Sequence, residues 1–312
     1  MGKKWDASLR GRIEITDYKF LLVDRIQKIR QIIRQYGEDK FFISYSGGLD
    51  SNVLSTLVDL ALPENMIPRV YSDTGIEMSA VRKFVQQKCE EDPRFEIVKP
   101  KVPIQQMLKT EGYPFKSKRH CHYVDIYQRL GMTKSNIHYL DLDPDKHWSQ
   151  WKLCPKVLRY QFSPEFTMRL SNKCCDRLKK DPMKQWQRER ERPYSIIGIT
   201  RDEKGPRESA QCLAFHGKKL SAFQPLVVVT KDWEHWFIDN YGIDLPDIYY
   251  PPYNMERSGC TGCPFNIKVV DKLRMLKEFF PTDYKVACAV WKPVYDEYAR
   301  IGYRGFKNDP RC

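Results

Sequence analysis

Phe41-Phe42-Ile43-Ser44-Tyr45-Ser46-Gly47-Gly48-Leu49-Asp50-Ser51 (FFISYSGGLDS, residues 41–51) decides how the chain reads. Phe41, Phe42 and Ile43 predict a buried strand that stops in a polar, glycine-containing turn. Val53, Leu54, Leu57, Val58 and Ala61 then recur at three- and four-residue spacing and predict a helix. Strand, glycine turn and helix start make an anion cradle. Gly47 and Gly48 free the backbone for positive φ and close approach to a ligand. Successive N–H groups can line a nest at the positive end of the following helix. Ser44, Ser46 and Ser51 add hydroxyls, and Asp50 is expected to cap the helix and to help hold Mg2+. Two glycines in such a turn are common. The full string after an apolar strand is far more specific.

Working outward, residues 17–36 predict an amphipathic helix with Leu22, Ile26, Ile29 and Ile33 in one stripe. Pro68–Ser72 reads as a second strand ending in Asp73-Thr74-Gly75-Ile76-Glu77. A helix near Ser79–Glu90 leads to a third strand at Phe95–Val98. Alternation of strand and helix predicts a parallel α/β sheet, with ligands at the carboxyl ends of its strands. From about 100 to 193 prolines, aromatics and basic residues predict an irregular, mostly helical insertion. Tyr194–Thr200 restores a strand and runs into a polar loop carrying Arg201 and Arg207. Asp232–Tyr241 predicts a helix with Asp232 as its cap, and the chain from Lys268 on is helical. The expected organisation is a Rossmann-like nucleotide-binding domain over 1–265, with a helical extension over 266–312 packed on it.

The chain has 312 residues and a formal net charge of +13, enough length for a real core and a balance suited to nucleotide or nucleic acid. Basic clusters lie at Lys116–His120 and Lys179–Arg192; a solvated basic face is the plainer reading of each. No run of 18 apolar residues suggests a membrane span, and MGKKWDASLR has no apolar signal core, with Asp6 where a myristoylation signal has Ser or Thr. A cytoplasmic location is expected, where ten cysteines argue for metal or redox chemistry over disulfides. Cys174-Cys175 is a vicinal pair and Cys260-Thr261-Gly262-Cys263 a C-x-x-C. Four thiolates from two segments suit either tetrahedral zinc or an iron–sulfur cluster. Cys89 and Cys288 fall in apolar helical patterns and read as core. Cys121, between His120 and His122, together with Cys154 is a second, weaker metal candidate. Cys312 is either a mobile terminal nucleophile or a bystander.

Ser46-Gly47-Gly48-Leu49-Asp50-Ser51 resembles the SGGxDS pyrophosphate loop of the PP-loop ATP pyrophosphatases, which cleave ATP between the α and β phosphates and adenylate a substrate. Over roughly 40–265 the chain is further similar to the PAPS/APS (sulfonucleotide) reductase branch. Cys174–Pro182 is similar to its CCxxRKxxP segment and Cys260–Cys263 to its downstream C-x-x-C, which implies a 4Fe–4S cluster on Cys174, Cys175, Cys260 and Cys263. The resemblance makes Lys179 the lysine between cluster and substrate, with Leu178 in place of the family arginine. Gly198-Ile199-Thr200-Arg201-Asp202-Glu203 looks like the family's strand end, with Arg207 its following arginine. Asp73, Thr74, Gly75 and Glu77 lie in the turn that handles adenosine.

Two departures separate the chain from reductases. Its pyrophosphate loop is intact, and it has no ECGLH-like tail cysteine. The expected function is therefore an ATP-consuming sulfur transfer: Asp50, Lys179, Arg201 and Arg207 serve catalysis, a sulfur donor is needed, and nucleic acid (DNA or tRNA) is an acceptor in such relatives. A reductase producing sulfite from APS or PAPS with a thiol reductant is the alternative, and a nucleotide- and cluster-sensing module a third.

Overall fold

The buried triplet becomes β1 (Phe41–Tyr45), in which Phe41, Phe42 and Ile43 are at most 2% exposed, as a central strand covered on both faces requires. The computed structural model describes residues 17–142, 149, 152–203 and 207–308. Lys204-Gly205-Pro206, Asp6 and Cys312 lie outside them. The other strands are β2 (Arg69–Ser72), β3 (Phe95–Val98), β4 (Tyr194–Ile196), β5 (Leu213–His216) and β6 (Lys219–Phe223). They form one six-stranded sheet in the order β3-β2-β1-β4-β6-β5. β1 pairs in parallel with β2 (Ile43 opposite Arg69) and with β4 (Phe42 opposite Ser195), and β4 pairs in parallel with β6. β5 and β6 pair antiparallel as a hairpin. The architecture is α/β and Rossmann-like. The chain runs outward through β2 and β3, then returns to β4 on the other side of β1, so the order reverses between β1 and β4. That reversal opens a crevice at the strands' carboxyl ends.

The chain folds as two compact units interleaved in sequence. The first takes in residues to Tyr71, Lys88–Glu96 and Gln187–Pro246; the second takes in Ser72–Gln87, Ile97–Trp186 and the chain from Asp247. The first unit contains α1 (Tyr18–Tyr36) and α2 (Leu49–Ala61). Its core joins Leu54, Leu57, Val70, Phe223, Leu226, Trp233 and Phe237, all fully buried. Arg69 is fully buried as well. It donates to Asp59 (2.6 Å), Asn65 (2.9 Å) and Ser55 (3.2 Å), which is how a buried guanidinium is tolerated.

α3 (Ser79–Glu91) follows the DTGIE turn. The second unit is mostly helical: α4 (Ile104–Glu111), α5 (Lys118–Leu130), α6 (Lys134–Tyr139), a π-turn at Asp176–Lys180 that opens α7 (Asp181–Glu189), and later α9 (Val269–Phe279) and α10 (Pro281–Ile301). α8 (Lys231–Tyr241) belongs to the first unit.

Several local expectations are corrected. α2 is capped by the Gly48 backbone with no side-chain cap, because the Asp50 carboxylate is drawn to a lysine. Thr230, not Asp232, caps α8, its hydroxyl accepting from the Trp233 N–H at 3.3 Å. The strand expected over Tyr194–Thr200 ends at Ile196. Cys89 and Cys288 are half-exposed rather than core. The β5–β6 hairpin was not anticipated. Its two-residue turn needs positive φ at Gly217 (62°), and a lone glycine among charged residues is a weak signal.

Candidate functional site

The glycine turn sits at the β1 end of the crevice. Gly47 has φ 68°, the left-handed region that favours glycine. The turn is held from inside by residues the sequence reading did not single out. Tyr45 donates to the Asn52 side chain at 2.6 Å, and Asn52 donates back to the Gly48 carbonyl at 3.0 Å. Ser51 Oγ donates to the same carbonyl at 2.8 Å, and Ser46 Oγ accepts from Gly48 N–H at 3.3 Å. Ser46 is exposed at the loop's tip, Ser44 half-buried in the strand, and Ser51 buried. The turn is therefore rigid before any ligand arrives.

The β4 end closes on the same turn. A Cβ on Gly198 would lie 2.8 Å from the Asp50 carbonyl oxygen and 3.1 Å from its carbon. Only glycine lets the two backbones meet there, which gives Gly198 a structural reason. Beyond it, Arg201 donates its N–H to Val229 O at 2.9 Å, and Arg207 pairs with the buried Glu203 at 3.5 Å.

The structure adds two residues to this end of the sheet. Lys231, in the first turn of α8, bonds the Asp50 carboxylate and lies 2.7 Å from Glu234 Oε2. The glycine turn has no lysine of its own, and the fold brings one from 181 residues away. Glu234 is fully buried, and its Oε1 has no hydrogen-bond partner. Burial, with Asp50 nearby, pushes the Glu234 carboxyl up to about 8, against the pull of Lys231. Burial opposes the charge on Lys231, but Glu234 and Asp50 outweigh it and raise its pKa. A cation shared by two carboxylates, one of them half-satisfied, is a charge arrangement ready to be rearranged by a polyanion. No local pattern announces it.

The remaining expected residues lie in the second unit. The DTGIE turn is self-contained. Thr74 Oγ1 donates to Glu77 (2.7 Å), Thr74 N–H donates to Glu77 Oε2 (3.0 Å), and Gly75 N–H donates to Asp73 (3.0 Å). Lys179 pairs with Glu77 at 3.3 Å. Its charge is favoured by Cys260 and Glu77, which outweigh burial. Within the Lys179–Arg192 run, Lys180 pairs with Asp176 at 2.7 Å in the second unit and Arg190 with Glu96 at 3.2 Å in the first.

The four cysteines of the two motifs lie in this unit. Cys174 hydrogen-bonds Cys175, which keeps the proton on Cys174 and raises it while lowering Cys175. Burial pushes Cys263 up to about 12, and Cys260 and Cys175 add to this through space. Burial likewise raises Cys260, opposed by Lys179. The sulfurs thus feel one another, yet among the described residues no three His, Cys, Asp or Glu side chains stand in a ready metal-binding arrangement. Cys174 is buried and Cys175, Cys260 and Cys263 are half-buried; as a donor set, four thiols from two segments suit zinc or an iron–sulfur cluster.

The second metal candidate resolves differently. His120 is fully buried, within 3.0 Å of Tyr139 Oη and 2.6 Å of Gln161 Oε1, and burial lowers it to about 4. Cys121 is buried against the Phe115 backbone, its Sγ 3.0 Å from the Phe115 N–H. Both are core groups, and His122 is exposed.

No protein-family description matches the chain. It is similar to glutamine-hydrolyzing GMP synthases. The one from Thermosipho africanus is 33% identical over 88 residues, covering 28% of this chain and 15% of that protein. The one from Borreliella burgdorferi is 25% identical over 115 residues, 36% of this chain and 22% of that protein. The chain therefore spans less than a quarter of the curated relatives it matches. Among solved structures it is similar to phosphoadenylyl-sulfate reductase from Candida auris (TM-score 0.43, 11% identity, 80% of this chain and 96% of that one). It is also similar to NH3-dependent NAD synthetase from Campylobacter jejuni (TM-score 0.40, 12%, 92% and 97%). A third is the U34-tRNA thiolase NcsA from Methanococcus maripaludis with its [4Fe-4S] cluster (TM-score 0.37, 15%, 89% and 80%).

Proposed function

We propose that the chain is a PP-loop ATP pyrophosphatase that adenylates a substrate for sulfur transfer. The observation that carries this is the intact, internally braced SGGLDS turn at the reversal between β1 and β4, with Gly198 admitting close backbone contact at Asp50. In this reading the turn's N–H groups and the Ser46 and Ser51 hydroxyls receive the β and γ phosphates of ATP. Lys231 exchanges its bond to Asp50 for phosphate oxygens and stabilises the leaving pyrophosphate as charge develops on it. Asp50, once freed, is the carboxylate available to Mg2+. Arg201 and Arg207 are the further cations assigned to the polyphosphate.

A substrate oxygen attacks the α-phosphorus, pyrophosphate leaves, and a sulfur nucleophile then displaces AMP. Cys174, Cys175, Cys260 and Cys263 are the residues proposed to hold a 4Fe–4S cluster, which when bound supplies a site for sulfide or for electrons. Lys179 keeps positive charge beside those sulfurs. Net charge makes nucleic acid the acceptor class to try first.

Anaerobically purified protein given ATP, Mg2+ and total tRNA or DNA should release pyrophosphate. Sulfite release from APS or PAPS with a thiol, without ATP cleavage, would replace this reading with the reductase one. Tight ATP binding with neither product would replace it with a sensor.

A further inference from the structure

The C-x-x-C turn is irregular backbone, yet nearly every carbonyl in and around it has a donor, and the donors come from the chain's last helices. Trp291 Nε1 donates to Thr261 O at 2.8 Å. Tyr295 Oη donates to Gly262 O, and Tyr298 Oη to Pro264 O at 3.1 Å. These three residues lie at spacings of four and three on α10 and so share one helical face. They are 2%, 3% and 0% exposed. The contact is close. Gly262 has φ 62°, and a Cβ there would meet Tyr295 Oη at 2.5 Å and Ala287 Cβ, one turn earlier on the same face, at 2.7 Å.

Flanking groups extend the pattern. Arg304 donates to Pro264 O at 2.5 Å and to Asn266 O at 2.9 Å, and Lys272 donates to Ser258 O. The Tyr298 hydroxyl also accepts from Lys116 N–H at 2.8 Å. At the start of α10, Asp283 accepts from Ser79 Oγ at 2.8 Å. The turn's other edge is fixed by Thr261 N–H donating to Ile76 O at 2.7 Å.

From this we infer that α10 is a template for the Cys260–Cys263 turn: Trp291, Tyr295 and Tyr298 are positioning residues that fix the spacing of the two sulfurs and close their rear side to water. A core helix needs only apolar side chains against a loop. Three polar tips that each meet a different carbonyl, two within the Cys260–Cys263 turn and one at Pro264 just after it, specify the path of its backbone. The inference deepens the cluster reading above and rests on it for its purpose, though not for its geometry.

The test uses the full chain, purified anaerobically and reconstituted with iron and sulfide. Variants Tyr295→Phe and Tyr298→Phe keep the rings and remove the hydroxyls. Tyr295→Phe takes the donor from the Gly262 carbonyl and should loosen the turn by a factor of about 5–30, whereas Tyr298→Phe should loosen it less, because Arg304 still donates to Pro264 O. That factor is read as faster iodoacetamide labelling of Cys260 and Cys263 in the iron-free protein and as a shorter half-life of the visible cluster absorbance in air. Val294→Ala, fully buried on the same helix and without a hydrogen-bonding side chain, should lower the melting temperature while leaving both rates within about twofold. Labelling and bleaching equal to wild type in both Tyr variants, or equal acceleration by Val294→Ala, would overturn the template. Wild type that takes up no iron, with labelling still accelerated in the Tyr variants, would sink the cluster reading and leave the template standing.

Discussion

Glu234→Gln tests the charge arrangement behind the Ser46–Ser51 turn. Glu234 is fully buried, is held at about 8 by burial and by Asp50, and has one oxygen without a donor. A carboxyl whose folded value lies above its ordinary 4.5 binds more protons in the folded than in the unfolded state between those pH values. Stability is therefore fully present below 4.5 and falls as pH rises towards 8. At about 1.4 kcal/mol per pH unit the whole window is worth about 4–5 kcal/mol.

His120 works in the opposite sense. Burial holds it at about 4 against an ordinary 6.5, so it adds stability as pH rises through that range. The two slopes oppose one another up to 6.5, and Glu234 acts without that opposition above it. The glutamine variant keeps the shape and an acceptor for Lys231 and carries no charge. Groups common to both proteins, the lowered Cys175 among them, cancel in the comparison. Relative to the variant, wild type should lose about 2 kcal/mol between pH 6.5 and 8 and be less stable by about 3–5 kcal/mol at pH 8. Urea unfolding at four pH values, followed by fluorescence of Trp233 and Trp236 on α8, measures the difference. Parallel wild-type and variant profiles above pH 6.5 would refute the buried, half-satisfied carboxyl.

Other consequences follow from the same geometry. Gly198→Ala sets a methyl 2.8 Å from the Asp50 carbonyl; ATP affinity by calorimetry should fall tenfold or more, a loss of about 1.4 kcal/mol or above, with secondary structure by circular dichroism unchanged. Arg69→Met removes the buried donor to Asn65 and Ser55, while the part-exposed Asp59 keeps Arg94 at 2.8 Å; the cost should be about 1–3 kcal/mol in denaturant, and no measurable change would mean the network is dispensable. Cys260→Ser should abolish visible absorbance after anaerobic reconstitution while pyrophosphate release with tRNA or DNA as acceptor persists; an unchanged spectrum would remove Cys260 from the ligand set.

The residues that made the sheet and the turn legible are those whose meaning is local. Phe41–Ile43 can bury on two faces only as a central strand, Gly47 is needed where φ reaches 68°, and the apolar spacing of α2 follows within a few residues. The chain therefore carries strand, turn and helix in one continuous segment, and they could be read there before any contact was known. The cysteine motifs were likewise readable as candidate ligands, because spacing in C-x-x-C is a property of one turn.

What folding decided lies between segments. Lys231 reaches Asp50 across 181 positions, and nothing in Thr-Lys-Asp at a helix start distinguishes a phosphate-side lysine from a solvated one. Gly198 looked like a motif glycine, but its necessity is the backbone of Asp50 lying where a Cβ would go. His120 and Cys121 looked like metal donors in sequence and became core groups once Tyr139, Gln161 and Phe115 closed around them. Burial changes the cost of a charge by several kcal/mol, and burial is set by the neighbours that tertiary packing brings, not by the residue's own type.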